Sequence, residues 1–120
     1  MDGIIQVGAN PQNAFKTKVF CNRTKKDVLE CSASRYIDSS PLEDIVKYLS
    51  DDNKYAFIGR PCDIISLYNF LEWNPQYKDA IYCTLTFFCA GSPSKNASAE
   101  LVNYFGVCEE ECEFIRYRGN

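Results

Sequence analysis

The fold is decided by residues 55–63, which read Tyr-Ala-Phe-Ile-Gly-Arg-Pro-Cys-Asp. The apolar run from Tyr55 to Ile58 is typical of a strand that is buried on both faces of a sheet. A Gly/Pro turn follows this strand. A helix is then predicted by apolar residues at helical spacing, which are Ile64, Ile65, Leu67, Tyr68 and Leu71. The helix is expected to end at Trp73-Asn74-Pro75. A strand that leads straight into a helix is typical of α/β folds with parallel sheets.

A second strand–turn–helix unit follows in residues 80–106. The apolar run from Ala80 to Phe88 is the longest strand candidate, and residues 89–93 form the next turn. Ser92 is the expected helix cap, and Pro93 is the expected first helical residue. Three residues of this helix are expected to face inward: Leu101, Val102 and Phe105. Gly106 is the expected stop of the helix.

The N-terminal part predicts a hairpin and a short helix. Residues 3–7 and 17–21 read as two strands joined by a long loop. Thr24 is a candidate N-cap for a short helix that runs through Glu30. Residues 32–39 read as a loop.

Ser40, Pro41 and Glu43 give the clearest helix start, with a cap, a first-turn proline and a residue placed to close a capping box. The apolar face of this helix would consist of Leu42, Ile45, Val46 and Leu49. A last strand is expected over 113–117. The predicted order is β-β-α-α-β-α-β-α-β, an α/β fold with helices packed on a mainly parallel, mixed sheet in a single domain over residues 1–120.

Composition excludes several classes of function. The chain has 120 residues, a net charge of −3 and no histidine. A net acidic chain argues against nucleic-acid binding, and the lack of histidine removes Ser-His-Asp triads and His-anchored zinc. No apolar run is long enough to span a membrane, and no secretory leader is visible. We expect a cytoplasmic protein whose 7 cysteines are reduced thiols.

Cys62 and Cys89 occupy equivalent places in the two strand-to-helix turns. Parallel strands would bring both turns to one edge of the sheet, where α/β proteins bind ligands. Near helix N-termini these thiols could ligate a metal or act as nucleophiles, and Gly59 and Gly91 could let phosphate approach the backbone. The other cysteines have simpler interpretations. Cys21 and Cys83 are expected in the core, Cys31 in the core or at a helix end, and Cys108 and Cys112 beside a solvated turn.

Four segments together resemble one family, the coenzyme F420 hydrogenase/dehydrogenase beta subunits. Residues 59–64 resemble its G-T-P-C-Q-I turn, and residues 88–94 its V-C-H-G-V-P-S turn. Residues 34–36 resemble its S-R-Y loop, and residues 116–120 the start of R-Y-R-G-N-G-W-P-G. Among its departures from the family pattern, Arg60 stands for Thr, Asp63 for Gln and Ala90 for His.

The resemblance implies an iron–sulfur flavoprotein that moves electrons between a 4Fe-4S cluster, FAD and an acceptor such as a deazaflavin. Cys62 and Cys89 would then be two cluster ligands. The residues near the cofactors would be Gly59, Arg60, Pro61, Asp63, Gly91, Ser92, Ser34, Arg35 and Tyr36. No catalytic residue is assigned.

The resemblance also implies that the chain is part of a larger oxidoreductase. Because a 4Fe-4S cluster takes four thiolates as a rule, we expect this chain alone to be inactive and to bind no cofactor. The expected partners are a ferredoxin-type or other electron-transfer protein and the remaining domains of the parent, with neither nucleic acid nor membrane.

Two other interpretations stay open. The chain could be a metal-free α/β binding or interaction module in which the cysteines are structural. It could also be a thiol redox enzyme that uses Cys62 and Cys89 as a pair, although no C-x-x-C motif marks an attacking thiol.

Overall fold

A computed structural model describes residues 1–118 of the chain. Four strands form one sheet in the order β2-β1-β3-β4. The strands are β1 (Gly3–Ala9), β2 (Thr17–Asn22), β3 (Tyr55–Gly59) and β4 (Ile81–Thr86). The α-helices are α1 (Lys25–Glu30), α2 (Ile45–Leu49), α3 (Pro61–Trp73) and α4 (Lys95–Tyr104), with 3₁₀ turns at Pro75–Ala80 and Glu109–Glu111.

The sheet is mixed and mainly parallel, as predicted. Strands β1 and β2 form the expected antiparallel hairpin, in which Val7 pairs with Val19. Strand β3 runs parallel to β1 on one side and to β4 on the other. The predicted α/β class is therefore confirmed, and β1, β3 and β4 all end at the same edge of the sheet.

The core forms around β3. Its first three residues, Tyr55, Ala56 and Phe57, are at most 1% exposed. Strand β1 and helices α2 and α3 supply the other fully packed side chains, which are Ile5, Ile45, Leu49, Leu67 and Leu71. Helix α3 ends at Trp73, as the sequence predicts. Its periodic pattern thus identifies a helix whose buried face covers the central strand.

A polar cluster fixes the amino edge of β3. The Tyr55 hydroxyl donates to Asp51 Oδ2 at 2.6 Å and accepts from Arg23 Nη2 at 3.0 Å. The Lys54 backbone N–H donates to Asp2 Oδ2 at 2.8 Å. These bonds tie the start of β3 to the loop before it and to the chain segments beside β1 and β2.

The first short helix begins as predicted, and the second does not. Thr24 caps α1 by accepting from the Asp27 backbone N–H. The expected cap at Ser40 is wrong, because Asp44 adopts a left-handed conformation at φ 59° and helix α2 begins only at Ile45. Residues 41–44 form a turn in which the Ser40 carbonyl accepts from the Glu43 backbone N–H.

Helix α4 also begins later than the sequence predicts. Its cap is Ser94, which accepts from the Ala97 backbone N–H at 3.2 Å, so the expected cap at Ser92 is wrong. The proline between the two serines holds Ser92 away from helical conformation. The expected inward orientation is also wrong for Leu101 and Phe105, which are 60% and 73% exposed.

The end of α4 and the cysteines follow the predictions more closely. Gly106 follows the helix at φ 80°, a conformation that favours glycine, which confirms the expected stop. Cys31 is buried at the C-cap of α1, as expected. Cys21 is half-buried and packs against the core, as expected. The expected core position is wrong for Cys83, which is half-buried on β4 and does not pack against the core cluster.

The expected last strand over 113–117 is wrong. These residues belong to no helix or strand, and Phe114 is 70% exposed. A strand needs a neighbour for its backbone hydrogen bonds, and this segment joins neither edge of the sheet. Residues 119 and 120, which complete the motif that begins at Arg116, lie outside the described residues. None of the helices within residues 1–118 has the length and hydropathy needed to cross a bilayer.

Replacing Leu67 by alanine should reduce stability strongly. Leu67 is 0% exposed on the core face of α3, so Leu67→Ala should lower the free energy of unfolding by about 2–5 kcal/mol. Ile65 lies on the same helix but is 62% exposed, and Ile65→Ala is the matched control with an expected effect under about 1 kcal/mol. Urea unfolding followed by circular dichroism measures both, and equal losses would contradict the assigned burial.

The stability should fall in alkaline solution, in part because of Tyr55. Burial raises the pKa of its phenol above the ordinary 10.0, and its hydrogen bond to Asp51 adds in the same direction. Since the folded state holds this proton more tightly than the unfolded chain, the free energy of unfolding should fall as the pH rises above about 10. Tyr55→Phe should make that fall shallower in urea titrations across this range. An identical pH dependence would contradict the role of Tyr55.

Candidate functional site

Two strand-to-helix turns meet at one edge of the sheet. The last residues of the parallel strands β3 and β4, Gly59 and Thr86, are paired with each other. After β3 the chain enters α3 almost directly, whereas after β4 it runs through residues 87–94, an exposed segment without helix or strand. The prediction that both turns lie at one edge is therefore confirmed. This is the edge at which open α/β sheets bind ligands.

Cys62 and Cys89 are both exposed at this edge. Cys62 lies in the first turn of α3, and Cys89 lies in the segment that follows β4. Arg60 interacts electrostatically with both. Its pKa is raised first by a hydrogen bond to Asp63, and the nearby charges of Cys62 and Cys89 act in the same direction. The two cysteines of the matching turns thus share one guanidinium as a neighbour.

Arg60 and Asp63, two of the departures from the family motif, bind each other. Asp63 Oδ2 accepts from Arg60 Nε at 2.8 Å and from the Arg60 backbone N–H at 2.9 Å, while Oδ1 accepts from Nη2 at 3.0 Å. The side chains are 22% and 11% exposed. The Asp63 carboxylate accepts from the Arg60 backbone N–H and so fixes the first turn of α3, which contains Cys62. Because the carboxylate already occupies the start of α3, this turn is unsuited to hold a phosphate.

Gly59 is required for packing rather than for an open approach to the backbone. A Cβ there would lie 2.9 Å from Phe57 Cε1 and 3.0 Å from Asp63 Cβ. Gly91 is different, because its φ is 112° and a Cβ would meet nothing within 4 Å. The other residues assigned to the two turns, Pro61 and Ser92, are exposed. Only the second turn therefore leaves open space over its glycine.

The loop with Ser34, Arg35 and Tyr36 is held next to the same edge. Arg60 Nη2 donates to the Ser39 carbonyl at 3.3 Å, and Thr17 Oγ1 donates to the Asp38 carbonyl at 3.2 Å. Arg35 folds back on its own loop and donates to three backbone carbonyls at 2.9–3.2 Å, those of Cys31, Ser32 and Ala33. The Arg35 guanidinium thus stabilises the loop, in which Ala33 has a φ of 88°.

Tyr36 joins this loop to the C-terminal segment. Its hydroxyl accepts from Arg118 Nε at 2.9 Å, across 82 positions of sequence. Its ring packs edge-to-face on Tyr117, with ring centroids 5.9 Å apart. Both segments resemble motifs of the same family, but nothing in the sequence indicated a role for Tyr117 or Arg118.

The Tyr117 hydroxyl is a buried polar group without a partner. Within residues 1–118, it is the one buried side-chain nitrogen or oxygen that makes no hydrogen bond. Burial raises the pKa of its phenol, and the nearby Cys112 adds to the increase while Arg35 opposes it. Leaving such a donor without a hydrogen bond costs about 1–3 kcal/mol of stability, and buried polar groups are nearly always paired.

A complete metal site is absent from the described part of the chain. Between residues 1 and 118, no three histidine, cysteine, aspartate or glutamate side chains come together as a group that could hold a metal ion. Cys108 and Cys112 flank the 3₁₀ turn Glu109–Glu111, which Lys95 binds through a 3.4 Å ion pair with Glu109. Their spacing reflects this turn.

Two family models match nearly the whole chain. The N-terminal model of the coenzyme F420 hydrogenase/dehydrogenase beta subunit matches residues 1–47, and its C-terminal model matches residues 52–120. The chain belongs to this family. The family suggested by the motifs at residues 34–36, 59–64, 88–94 and 116–120 is therefore confirmed, and no sequence among the curated proteins matches the chain.

A solved structure shares the fold of this beta-subunit chain. It is a chain of the F420-reducing [NiFe] hydrogenase complex from Methanosarcina barkeri, studied by xenon derivatization. The two superpose with a TM-score of 0.76 at 15% sequence identity, over 98% of this chain. This chain spans 42% of the length of the hydrogenase chain.

The residues at the carboxyl edge fit a flavin better than they fit a whole iron–sulfur cluster. Cys62 and Cys89 have the right donor chemistry, but a 4Fe-4S cluster as a rule takes four thiolates. A flavin needs aromatic contacts and hydrogen-bond donors. Tyr36, the partnerless Tyr117 hydroxyl and Arg118 supply both in one cluster, and the Tyr36 loop links that cluster to the edge through the bond from Arg60 to the Ser39 carbonyl.

Removing both partners of the Arg60–Asp63 pair should cost less stability than the sum of the losses from removing each one alone. Arg60→Thr or Asp63→Gln alone should lower the free energy of unfolding by about 1–3 kcal/mol, because each leaves a charged group without its hydrogen bonds. The double variant, which restores the family's Thr and Gln, should lose less than the sum. A double-mutant cycle from urea unfolding measures this coupling. Additive losses would contradict a direct stabilising pair.

Proposed function

We propose that this chain is part of an iron–sulfur flavoprotein oxidoreductase that moves electrons between a 4Fe-4S cluster, FAD and an acceptor. The observation that carries the proposal is that Cys62 and Cys89 lie at one sheet edge beside Arg60, in a chain that belongs to the coenzyme F420 hydrogenase/dehydrogenase beta-subunit family. Coenzyme F420, a deazaflavin, is the proposed acceptor.

The proposed division of roles follows the geometry of the edge. Cys62 and Cys89 would supply two thiolates, and the Arg60–Asp63 pair would hold the Cys62 turn in place. The loop at residues 34–36 would contact the flavin, and so would the open backbone at Gly91 and Ser92. When bound, an iron–sulfur cluster exchanges single electrons and a flavin exchanges one or two, so the pair links two kinds of carrier.

The other two thiolates of the cluster would come from the rest of a larger parent protein. The 42% coverage of the hydrogenase chain supports this. On this proposal the isolated chain is inactive and holds no cluster, and the parent works in the cytoplasm with a ferredoxin-type or other electron-transfer protein and with other subunits as partners.

The alternative is a metal-free α/β interaction module. It is favoured by the finding that residues 1–118 bring together no three side chains able to hold a metal. On that alternative, Cys62 and Cys89 are exposed thiols without a ligand role.

Anaerobic reconstitution of the full-length protein with iron and sulfide separates the two. The proposal expects about four iron atoms per protein, and Cys62→Ser and Cys89→Ser should each reduce this to less than about one. Cys108→Ser replaces another exposed thiol and is the matched control, with iron content expected to stay at the wild-type level. Full iron in both Cys62→Ser and Cys89→Ser would refute the ligand roles, and no iron in the wild type would favour the metal-free module.

A further inference from the structure

The C-terminal segment and the Tyr36 loop form a cluster of aromatic rings and hydrogen-bond donors, in which Arg35 and Arg118 already have partners and the Tyr117 hydroxyl has none. Arg35 and Arg118 contribute guanidinium groups, and Tyr117 contributes a hydroxyl. The Tyr36 hydroxyl already accepts from Arg118. The Arg118 guanidinium also lies 6.0 Å from the centre of the Tyr36 ring. A ligand that fits this cluster is aromatic and rich in acceptor oxygens.

The Tyr117 hydroxyl is the donor in this cluster that makes no hydrogen bond. It is buried, and no hydrogen-bond partner exists for it among residues 1–118. Buried polar groups in folded proteins are nearly always paired, so a lone phenol next to a second aromatic ring indicates a missing acceptor. A phenol at neutral pH is an uncharged single donor, which matches a carbonyl oxygen better than a phosphate.

We propose that Tyr117 is a flavin-binding residue whose hydroxyl donates a hydrogen bond to a carbonyl oxygen of the isoalloxazine ring, beside the Tyr36 ring. The inference rests on the proposed flavin function and adds to it a residue and a contacted part of the cofactor. Residues 113–118 belong to no helix or strand, so this segment can shift to admit the ring without breaking the sheet.

Tyr117→Phe tests the inference because it removes only the hydroxyl. An ordinary structural tyrosine loses a hydrogen bond on this change and the protein becomes less stable, but here there is no bond to lose. We therefore expect the full-length Tyr117→Phe protein, freed of flavin, to have an unchanged or higher midpoint of thermal unfolding. Its affinity for FAD should fall by about 3- to 10-fold, the effect of one hydrogen bond.

Fluorescence titrations with FAD, riboflavin and ADP locate the contact. Riboflavin should show the same fold loss as FAD, and ADP should show none, because the contact is to the ring. Tyr104→Phe, at an 83% exposed tyrosine on α4, is the matched control and should bind FAD as the wild type does. The same ring carbonyls occur in deazaflavins, so 5-deazariboflavin is titrated in parallel. Tighter Tyr117-dependent binding of 5-deazariboflavin than of riboflavin would overturn the flavin assignment.

The remaining outcomes are separable. If the wild type binds FAD and Tyr117→Phe binds it equally well, the inference fails while the proposed function stands. A loss confined to ADP would also overturn it. If the wild type binds no flavin, both the proposed function and the inference are overturned.

Discussion

Strand β3 is buried on both of its faces, and the rest of the molecule depends on that burial. Tyr55, Ala56 and Phe57 are at most 1% exposed, so two layers of side chains must cover them. Fully burying an aromatic or large aliphatic side chain stabilises a fold by about 1.5–3 kcal/mol. Helices α2 and α3 supply much of that cover. The strand also pairs on both sides, in parallel with β1 and with β4.

Parallel pairing has a direct consequence for the candidate site. Since β3 and β4 end at paired residues, the two turns that carry Cys62 and Cys89 are neighbours in space although 27 residues separate them in sequence. The Arg60–Asp63 pair then connects three parts of this edge: the end of β3, the start of α3 and the loop that contains Tyr36. The site is thus assembled from the topology of the sheet and one ion pair.

The sequence predicted well what depends on local pattern. The apolar run of β3, the period of α3 and the Thr24 cap are each specified within a few residues. The sequence-based prediction failed where neighbouring residues could each form the same local structure. Ser92 and Ser94 are both plausible caps, and the choice depends on the proline between them. The strand expected over 113–117 has the right residues but pairs with neither edge strand of the sheet, β2 or β4. The contact between Tyr36 and Arg118 joins residues 82 positions apart, and no local pattern encodes it.

The two edges of the sheet are electrically separate. The amino edge has the charges of Arg23 and Asp51, with side chains 53% and 42% exposed, and the carboxyl edge has Cys62 and Cys89. The five residues of β3 span roughly 17 Å at about 3.3 Å per residue, which exceeds the Debye length of about 8 Å at physiological salt. Charge changes at the amino edge are therefore screened before they reach the cysteines. The strand therefore acts as a spacer, and the exposed charges of the amino edge can vary with little effect on Cys62 and Cys89 at the other.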